Sequence, residues 1–125
     1  PAALEMQITK ENAGRLQCRI LAEGANGPTS LEAVAILKER EIFLVPDILA
    51  NAGGVVVSYF EWDQDLQNFF WTEQEVNQKL RDILVRAFHE VLQMSQREKV
   101  DMRLAALMIG IERVERAMLW RGLYA

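Results

Sequence analysis

Histidine, cysteine and proline are scarce in this chain of 125 residues, which contains one histidine, one cysteine and three prolines. A single cysteine cannot form an internal disulfide, and Cys18 falls in a predicted buried strand, which favours a reducing compartment and a cytoplasmic location. The one histidine, His89, has no cysteine, histidine or carboxylate cluster at ligand spacing around it. This absence argues against a metal site and favours a surface or half-buried histidine.

Long apolar runs and basic runs are missing as well. No apolar run is long enough to cross a membrane, and no signal peptide is visible. The net charge of −4, without any lysine- or arginine-rich segment, gives no reason to expect nucleic acid as a partner. The chain begins at Pro1 without a methionine and enters apolar sequence at once, which predicts that it is part of a larger protein.

Short apolar strands alternate with helical patterns in the first half of the chain. Strands are predicted over residues 18–22 and 42–45, and a short helix over residues 10–16. The sequence TSLE at residues 29–32 has the form of a capping box led by its threonine, so a helix is expected to begin there. The continuously apolar second strand is typical of a parallel sheet that helices cover on both faces.

The second half has a helical pattern. A second capping box, TEQE at residues 72–75, opens a helix that is predicted to run to about residue 96. Asp101 is placed to cap a last helix that ends at Gly122, and its segment 104–111 is apolar all round, which predicts deep burial. Core or interdomain packing is predicted for the aromatic residues Trp62, Phe69, Phe70 and Trp71.

Asparagine and glycine follow both predicted strands. The segment AEGANGP leads out of the first strand, and VPDILANAGG leads out of the second. Because parallel strands end at the same edge of a sheet, Asn26 and Asn51 are predicted to lie on one wall of a cleft. Each also has a structural alternative: Asn26 as a turn former, and Asn51 as the N-cap of the helix that runs through the Gly53-Gly54 pair.

Six segments carry a family resemblance: PAALEMQIT, AEGANGPTS, VPDILANAGGVVVSYFEW, FFWTEQEVNQKL, IGIERVERAM and RGLY. Together they resemble the C-terminal part of glutamate dehydrogenases, within the wider glutamate/leucine/phenylalanine/valine dehydrogenase family. The resemblance implies an α/β fold: a partial Rossmann-like, doubly wound NAD(P)-binding domain with parallel strands over residues 1–62, followed by C-terminal α-helices over residues 63–125 that pack on the same unit. It also implies oxidative deamination of L-glutamate to 2-oxoglutarate and ammonia with NAD or NADP.

The resemblance also implies roles for single residues. Asn26, Asn51 and Gln7 match positions that contact the cofactor, and Asn51, Val55 and Ser58 match positions that contact the amino-acid substrate. Val55 and Ser58 are three residues apart and so share a helix face, and the serine hydroxyl would suit the distal carboxylate of glutamate. No catalytic residue is assigned, because the glycine fingerprint and the activating lysines of the family lie upstream of this segment.

These implications make the chain a piece of an enzyme that needs the rest of its parent chain, is expected to be inactive alone, and forms a homohexamer in the intact family. A different class of function stays open, namely a free-standing α/β module that binds a nucleotide or a partner without catalysis. A third possibility is a dimer that forms through exposed apolar sheet edges.

Overall fold

The computed structural model describes residues 4–122, so the first three residues of PAALEMQIT and the last two of RGLY lie outside the described residues. Between these limits the chain has a mixed α/β architecture that is mostly helical. Its elements in chain order are α1 Lys10–Ala13, β1 Ile20–Ala22, α2 Leu31–Glu39, β2 Phe43–Val45, α3 Asp47–Ala50, α4 Gly53–Gln67, α5 Glu73–Glu98 and α6 Met102–Arg121. None of these helices is long and apolar enough to span a membrane.

The two strands form a parallel pair, with Ile20 opposite Phe43 and Ala22 opposite Val45. Helix α2 makes the crossover between them, so the predicted strand–helix–strand unit is confirmed. The first strand is shorter than predicted, because its ladder begins only at Ile20. Cys18 therefore lies before the strand and is exposed, and its predicted burial is wrong.

Two apolar cores lie on opposite faces of this small sheet. Leu44 belongs to a core formed with α1 and α2, whereas its neighbour Val45 packs against a core formed by α3, α5 and α6. Because successive residues of a strand point to opposite faces, the two cores lie on opposite sides of the sheet. The buried members of the first core are Ala13, Ala33, Leu37, Ile42 and Leu44, and those of the second are Leu49, Val91, Met94, Met102 and Ala105.

The helix starts agree only partly with the capping residues predicted from sequence. Thr72 caps α5 in a capping box with Glu75, and Asp101 caps α6, as predicted. Helix α2 is instead capped by Ser30, whose hydroxyl accepts from the N–H of Ala33. The predicted cap Thr29 pairs in a parallel bridge with Ile8, which holds its backbone outside the helix.

The start of α4 also differs from the prediction. A short helix, α3, follows Pro46 and ends at Asn51, whose N–H donates to the carbonyl of Asp47 at 2.9 Å. Asn51 is therefore the C-cap of α3, and the N-cap prediction is wrong because Ala52 occupies that position. Helix α4 then spans Gly53–Gln67 without interruption, and it crosses the predicted division of the chain between residues 62 and 63.

Helix α6 is less buried than its apolar sequence predicts. Ala105 is fully buried against α5, whereas Leu107 and Ile111 are 48% and 68% exposed. Among residues 4–122, α5, α3 and β2 pack against one face of this helix, so the opposite face is exposed and the prediction of deep burial is wrong. Trp62, Phe69 and Phe70 are likewise exposed, so they do not pack in the core of the described chain, and interdomain packing stays a prediction for them. Trp71 packs edge-on against the buried Phe60.

The α2 cap gives a direct test of this arrangement. We expect Ser30→Ala to lower the free energy of unfolding by about 1 kcal/mol, because the N–H of Ala33 loses its acceptor. Thr29→Val should cost less, because the buried Thr29 hydroxyl has no protein hydrogen-bond partner among the described residues. Urea denaturation of both variants measures the difference, and a larger loss for Thr29→Val would contradict the assignment of Ser30 as the cap.

Candidate functional site

The carboxyl ends of β1 and β2 lie side by side and carry two buried acidic residues. Glu23 directly follows β1, and its N–H continues the ladder by donating to the carbonyl of Val45 at 3.1 Å. Asp47 begins α3, and only Pro46 separates it from the end of β2. The N–H of Asp47 donates to Oε2 of Glu23 at 2.9 Å. The two strand ends are thus fastened to each other by a side chain as well as by the sheet.

Asp47 also fixes the turn that follows β1. Its Oδ2 accepts a hydrogen bond from the N–H of Gly27 at 2.7 Å, and its Oδ1 accepts one from the N–H of Ile48, the next residue of α3, at 2.9 Å. Gly27 adopts a φ of 55°, which a residue without a Cβ reaches at no steric cost. Asp47 therefore sets the position of the turn that carries Asn26.

Asn26 and Asn51 meet across the two strand ends, as the sequence predicts. Nδ2 of Asn51 donates to Oδ1 of Asn26 at 2.7 Å. Among residues 4–122, no hydrogen bond engages Oδ1 of Asn51 or Nδ2 of Asn26. The pair therefore offers one amide acceptor and one amide donor to an incoming group.

This asparagine pair lines an open cleft of about 710 Å³. The lining residues are Leu4, Glu5, Gly24, Ala25, Asn26, Asn51, Gly54, Val55 and Ser58. Four of the predicted site residues, Asn26, Asn51, Val55 and Ser58, thus share one cleft. Gln7, the fifth, does not line it, and its side chain donates instead to the nearby carbonyl of Glu5 at 3.1 Å.

Arg103 of α6 does not line the cleft but contacts the two acidic residues at the strand ends. Its Nη1 donates to Oδ1 of Asp47 at 2.8 Å, and its Nη2 donates to Oε2 of Glu23. The side chain of Glu23 is fully buried and that of Asp47 is 10% exposed, so the guanidinium balances charge in a desolvated place. We call these three residues the Glu23–Asp47–Arg103 cluster.

The pKa of Asp47 results from opposing effects in this cluster. Burial by itself raises the pKa of Asp47, because it disfavours the charged carboxylate. The N–H donors of Gly27 and Ile48, together with the charge and hydrogen bond of Arg103, outweigh burial and hold the pKa below its ordinary value. Asp47 is therefore a carboxylate at neutral pH.

A larger hollow lies elsewhere, along the exposed face of α6, with a volume of about 980 Å³. Ile48 and residues of the α6 segment 106–122 line it, and nearly all of the lining is apolar. The strand-end cleft is smaller but has convergent polar groups at the carboxyl ends of parallel strands, where α/β sheets bind ligands. We therefore take the strand-end cleft as the candidate site.

None of the three cluster residues was predicted to have a role. Glu23 directly follows an apolar strand, and Asp47 follows the other with Pro46 between, which is a sequence pattern that could have found them. Arg103 lies 56 residues beyond Asp47, and no local pattern connects them. In the described part of the chain no group of three histidine, cysteine or acidic residues could hold a metal, and His89 lies on the surface of α5.

The family of the chain follows from its match to known proteins. The model of the glutamate/leucine/phenylalanine/valine dehydrogenase family matches residues 1–122. The chain therefore belongs to this family, and the resemblance of its cleft segments to glutamate dehydrogenases is confirmed.

The relatives are named as glutamate dehydrogenases. The NAD-specific glutamate dehydrogenase of Staphylococcus aureus is 55% identical over 122 residues, which are 98% of this chain and 30% of that relative. The cryptic catabolic NAD-specific glutamate dehydrogenase GudB of Bacillus subtilis is 51% identical over 98% of this chain and 29% of its own length. The chain thus spans about 30% of the length of the curated relatives that it matches.

Solved structures agree with this placement. The glutamate dehydrogenase of Peptoniphilus asaccharolyticus superposes with a TM-score of 0.93 at 43% identity, over 99% of this chain and 31% of that one. The hetero-hexameric glutamate dehydrogenase of Thermus thermophilus in its leucine-bound form gives a TM-score of 0.93 at 35% identity, over 99% of this chain and 30% of that one. The two-stranded α/β unit is therefore the fold of the matching part of those enzymes.

The lowered pKa of Asp47 predicts how its contribution to stability depends on pH. The contribution is complete above the unfolded-state value of about 3.9 and disappears as pH falls through the lower folded-state value. We expect Asp47→Asn to lose about 2 kcal/mol of unfolding free energy at pH 7, and this loss should shrink below about pH 4.

Urea denaturation at a series of pH values measures this difference. Asp65→Asn is the matched control, because it removes the same charge from an exposed position and should change the free energy of unfolding by less than about 0.5 kcal/mol. A loss for Asp47→Asn that is constant from neutral to acidic pH would show that the carboxylate charge plays no part.

Proposed function

We propose that this chain forms the nicotinamide-side wall of an NAD-dependent glutamate dehydrogenase, which oxidatively deaminates L-glutamate to 2-oxoglutarate and ammonia. The observation that carries the proposal is the hydrogen-bonded pair of Asn26 and Asn51 at the carboxyl ends of adjacent parallel strands. Its support is the family membership and the NAD-specific relatives. Those names favour NAD over NADP, the choice that the sequence leaves open.

The cleft suits a nicotinamide cofactor in two respects. The free donor on Asn26 and the free acceptor on Asn51 match the carboxamide of a nicotinamide, which also has one donor group and one acceptor. At Gly54, a Cβ would meet no protein atom within 4 Å, so the helix start leaves open space on the cleft side. Such a cofactor accepts hydride from the substrate when it is bound, and the residues of this chain bind and orient it.

The substrate side of the cleft is formed by one face of α4. Val55 is 75% exposed, and Ser58 presents a hydroxyl without a protein hydrogen bond among the described residues. We propose that Val55 contacts the aliphatic part of glutamate and that Ser58 donates to its distal carboxylate. An apolar residue in place of Ser58 would suit a branched-chain or aromatic amino acid instead.

The described residues place no lysine in the cleft. Among residues 4–122, Glu5 is the one charged side chain in the cleft lining. We therefore propose that substrate activation depends on another part of the parent enzyme and that this chain is inactive alone. By the same family resemblance we propose that the complete enzyme is a homohexamer and that residues 1–62 complete its dinucleotide-binding domain.

The substrate role of Ser58 can be tested in the full-length enzyme that contains this chain. Reduction of NAD is followed with L-glutamate, L-leucine, L-valine and L-phenylalanine in turn. We expect a glutamate-selective rate, and Ser58→Ala should lower kcat/KM for glutamate about tenfold or more, because a charge-assisted hydrogen bond is lost. The KM for NAD should stay unchanged.

The control for this experiment is Gln78→Ala, which alters an exposed position on α5 outside the cleft. A complete enzyme that binds NAD but oxidises none of these amino acids would favour the alternative of a non-catalytic nucleotide-binding module. A normal glutamate rate in Ser58→Ala would remove Ser58 from the substrate site.

The open space at Gly54 gives a second test, on the cofactor side. Gly54→Ala should stabilise α4 by about 0.5–1 kcal/mol and yet weaken NAD binding at least several-fold, because its methyl group enters the cleft. Gly110→Ala is the matched control, since it is also helical and unobstructed but lies on α6, outside the strand-end cleft. Isothermal titration with NAD measures both, and equal affinities would contradict the placement of NAD beside Gly54.

A further inference from the structure

Within residues 4–122, Arg103 is the residue of α6 whose side chain hydrogen-bonds at both strand ends. Its guanidinium donates to Glu23 and to Asp47, which lie 80 and 56 residues away in the chain. It does not line the cleft, and its side chain is 21% exposed. Any effect of Arg103 on the cleft must therefore be transmitted through the two carboxylates that it contacts.

Asp47 passes this contact on to both asparagines. Its Oδ2 holds the N–H of Gly27, the residue after Asn26, at 2.7 Å. Its carbonyl accepts from the N–H of Asn51 at 2.9 Å, at the end of the single turn of α3. A shift of Asp47 by a fraction of an ångström would therefore move both members of the asparagine pair.

The charges of the cluster make this position depend on Arg103. Glu23 and Asp47 are both buried, and the N–H of Asp47 already approaches Oε2 of Glu23 at 2.9 Å. Both carboxylates contact the one guanidinium of Arg103, so they lie close together, and without a shared cation two desolvated carboxylates so placed repel each other. The planar guanidinium contacts both with separate nitrogens, which a single ammonium group cannot reproduce with the same geometry.

We propose that Arg103 is a positioning residue for the cofactor site: through Glu23 and Asp47 it fixes the relative placement of Asn26 and Asn51. This inference rests on the proposed function, because it assigns the asparagine pair to the nicotinamide cofactor. It adds a residue outside the cleft, on a different helix, to those that determine how the cofactor is oriented.

The test is a double-mutant cycle in the full-length enzyme. Arg103→Lys keeps the positive charge but removes the planar guanidinium that contacts both carboxylates. In the otherwise wild-type enzyme it should lower kcat/KM for NAD about 10- to 100-fold, since a small misplacement of binding groups has this effect. In an Asn26→Ala, Asn51→Ala background the same substitution should lower it less than about twofold, because there is no pair left to position. A merely structural role would produce the same loss in both backgrounds, and that result would overturn the proposal.

Arg113→Lys is the matched control. Arg113 also lies on α6 and forms an ion pair with Glu90 of α5, but both side chains are more exposed than that of Arg103 and neither lines the cleft. Its substitution should leave kcat/KM for NAD within about twofold in either background. An equal loss for Arg113→Lys and Arg103→Lys would overturn the proposal, because the effect would then belong to the α5–α6 contact in general.

A second variant and a second measurement keep the proposal testable if Arg103→Lys does not fold. Glu23→Gln retains the shape of the side chain and weakens its bond to Arg103, so we expect a smaller loss, about 3- to 10-fold, with the same dependence on background. In Arg103→Lys and in Glu23→Gln, hydrogen–deuterium exchange should be faster than in the wild-type enzyme in the peptides that span residues 22–30 and 46–53. Unchanged exchange in both peptides would overturn the positioning role.

The exchange measurement also separates this inference from the proposed function. If the complete enzyme oxidises no amino acid, the proposed function fails, and faster exchange at the two turns would still show that Arg103 positions the asparagine pair. If glutamate is oxidised and exchange does not change in Arg103→Lys, the positioning role fails while the proposed function stands.

Discussion

The candidate site depends on the register of one parallel strand pair. Because Ala22 lies opposite Val45, the chain leaves both strands at the same edge, and Glu23 and Asp47 come within hydrogen-bond distance. A shift of one residue in β2 would turn its side chains to the opposite face, which would take Leu44 out of the first core and remove the N–H of Asp47 from Glu23. The apolar cores on the two faces therefore determine the position of the polar edge.

The parts of the site that follow directly from local sequence could be predicted. An apolar run followed by asparagine and glycine indicates a strand end, and two such runs in succession place Asn26 and Asn51 together. Helical spacing places Val55 and Ser58 on one face in the same way. Arg103 could not be predicted, because its partners become neighbours only when α6 packs on α3 and β2, and that packing is decided by the whole second core.

The two wrong cap predictions have a common physical cause, which is that contacts elsewhere in the fold decide between positions that local propensity does not distinguish. Thr29 and Ser30 are both good N-caps, and the bridge between Thr29 and Ile8 decides in favour of Ser30. Asn51 is suited to either end of a helix, and the bonds of Asp47 create the short α3 that makes it a C-cap. Helix α6 is apolar on more faces than the described chain covers, so sequence alone overestimates its burial.

The Glu23–Asp47–Arg103 cluster is a costly way to hold two turns together, and its geometry explains why apolar residues would not serve as well. Packed hydrophobic side chains of similar size often match or exceed a buried ion pair in stability. They would nevertheless leave the N–H groups of Gly27 and Asp47 without their carboxylate acceptors, and an unpaired buried donor costs about 1–3 kcal/mol. Hydrogen bonds also have direction, which apolar contacts lack. The desolvation of two carboxylates is therefore offset by hydrogen bonds that fix the orientation of the turns that carry Asn26 and Asn51.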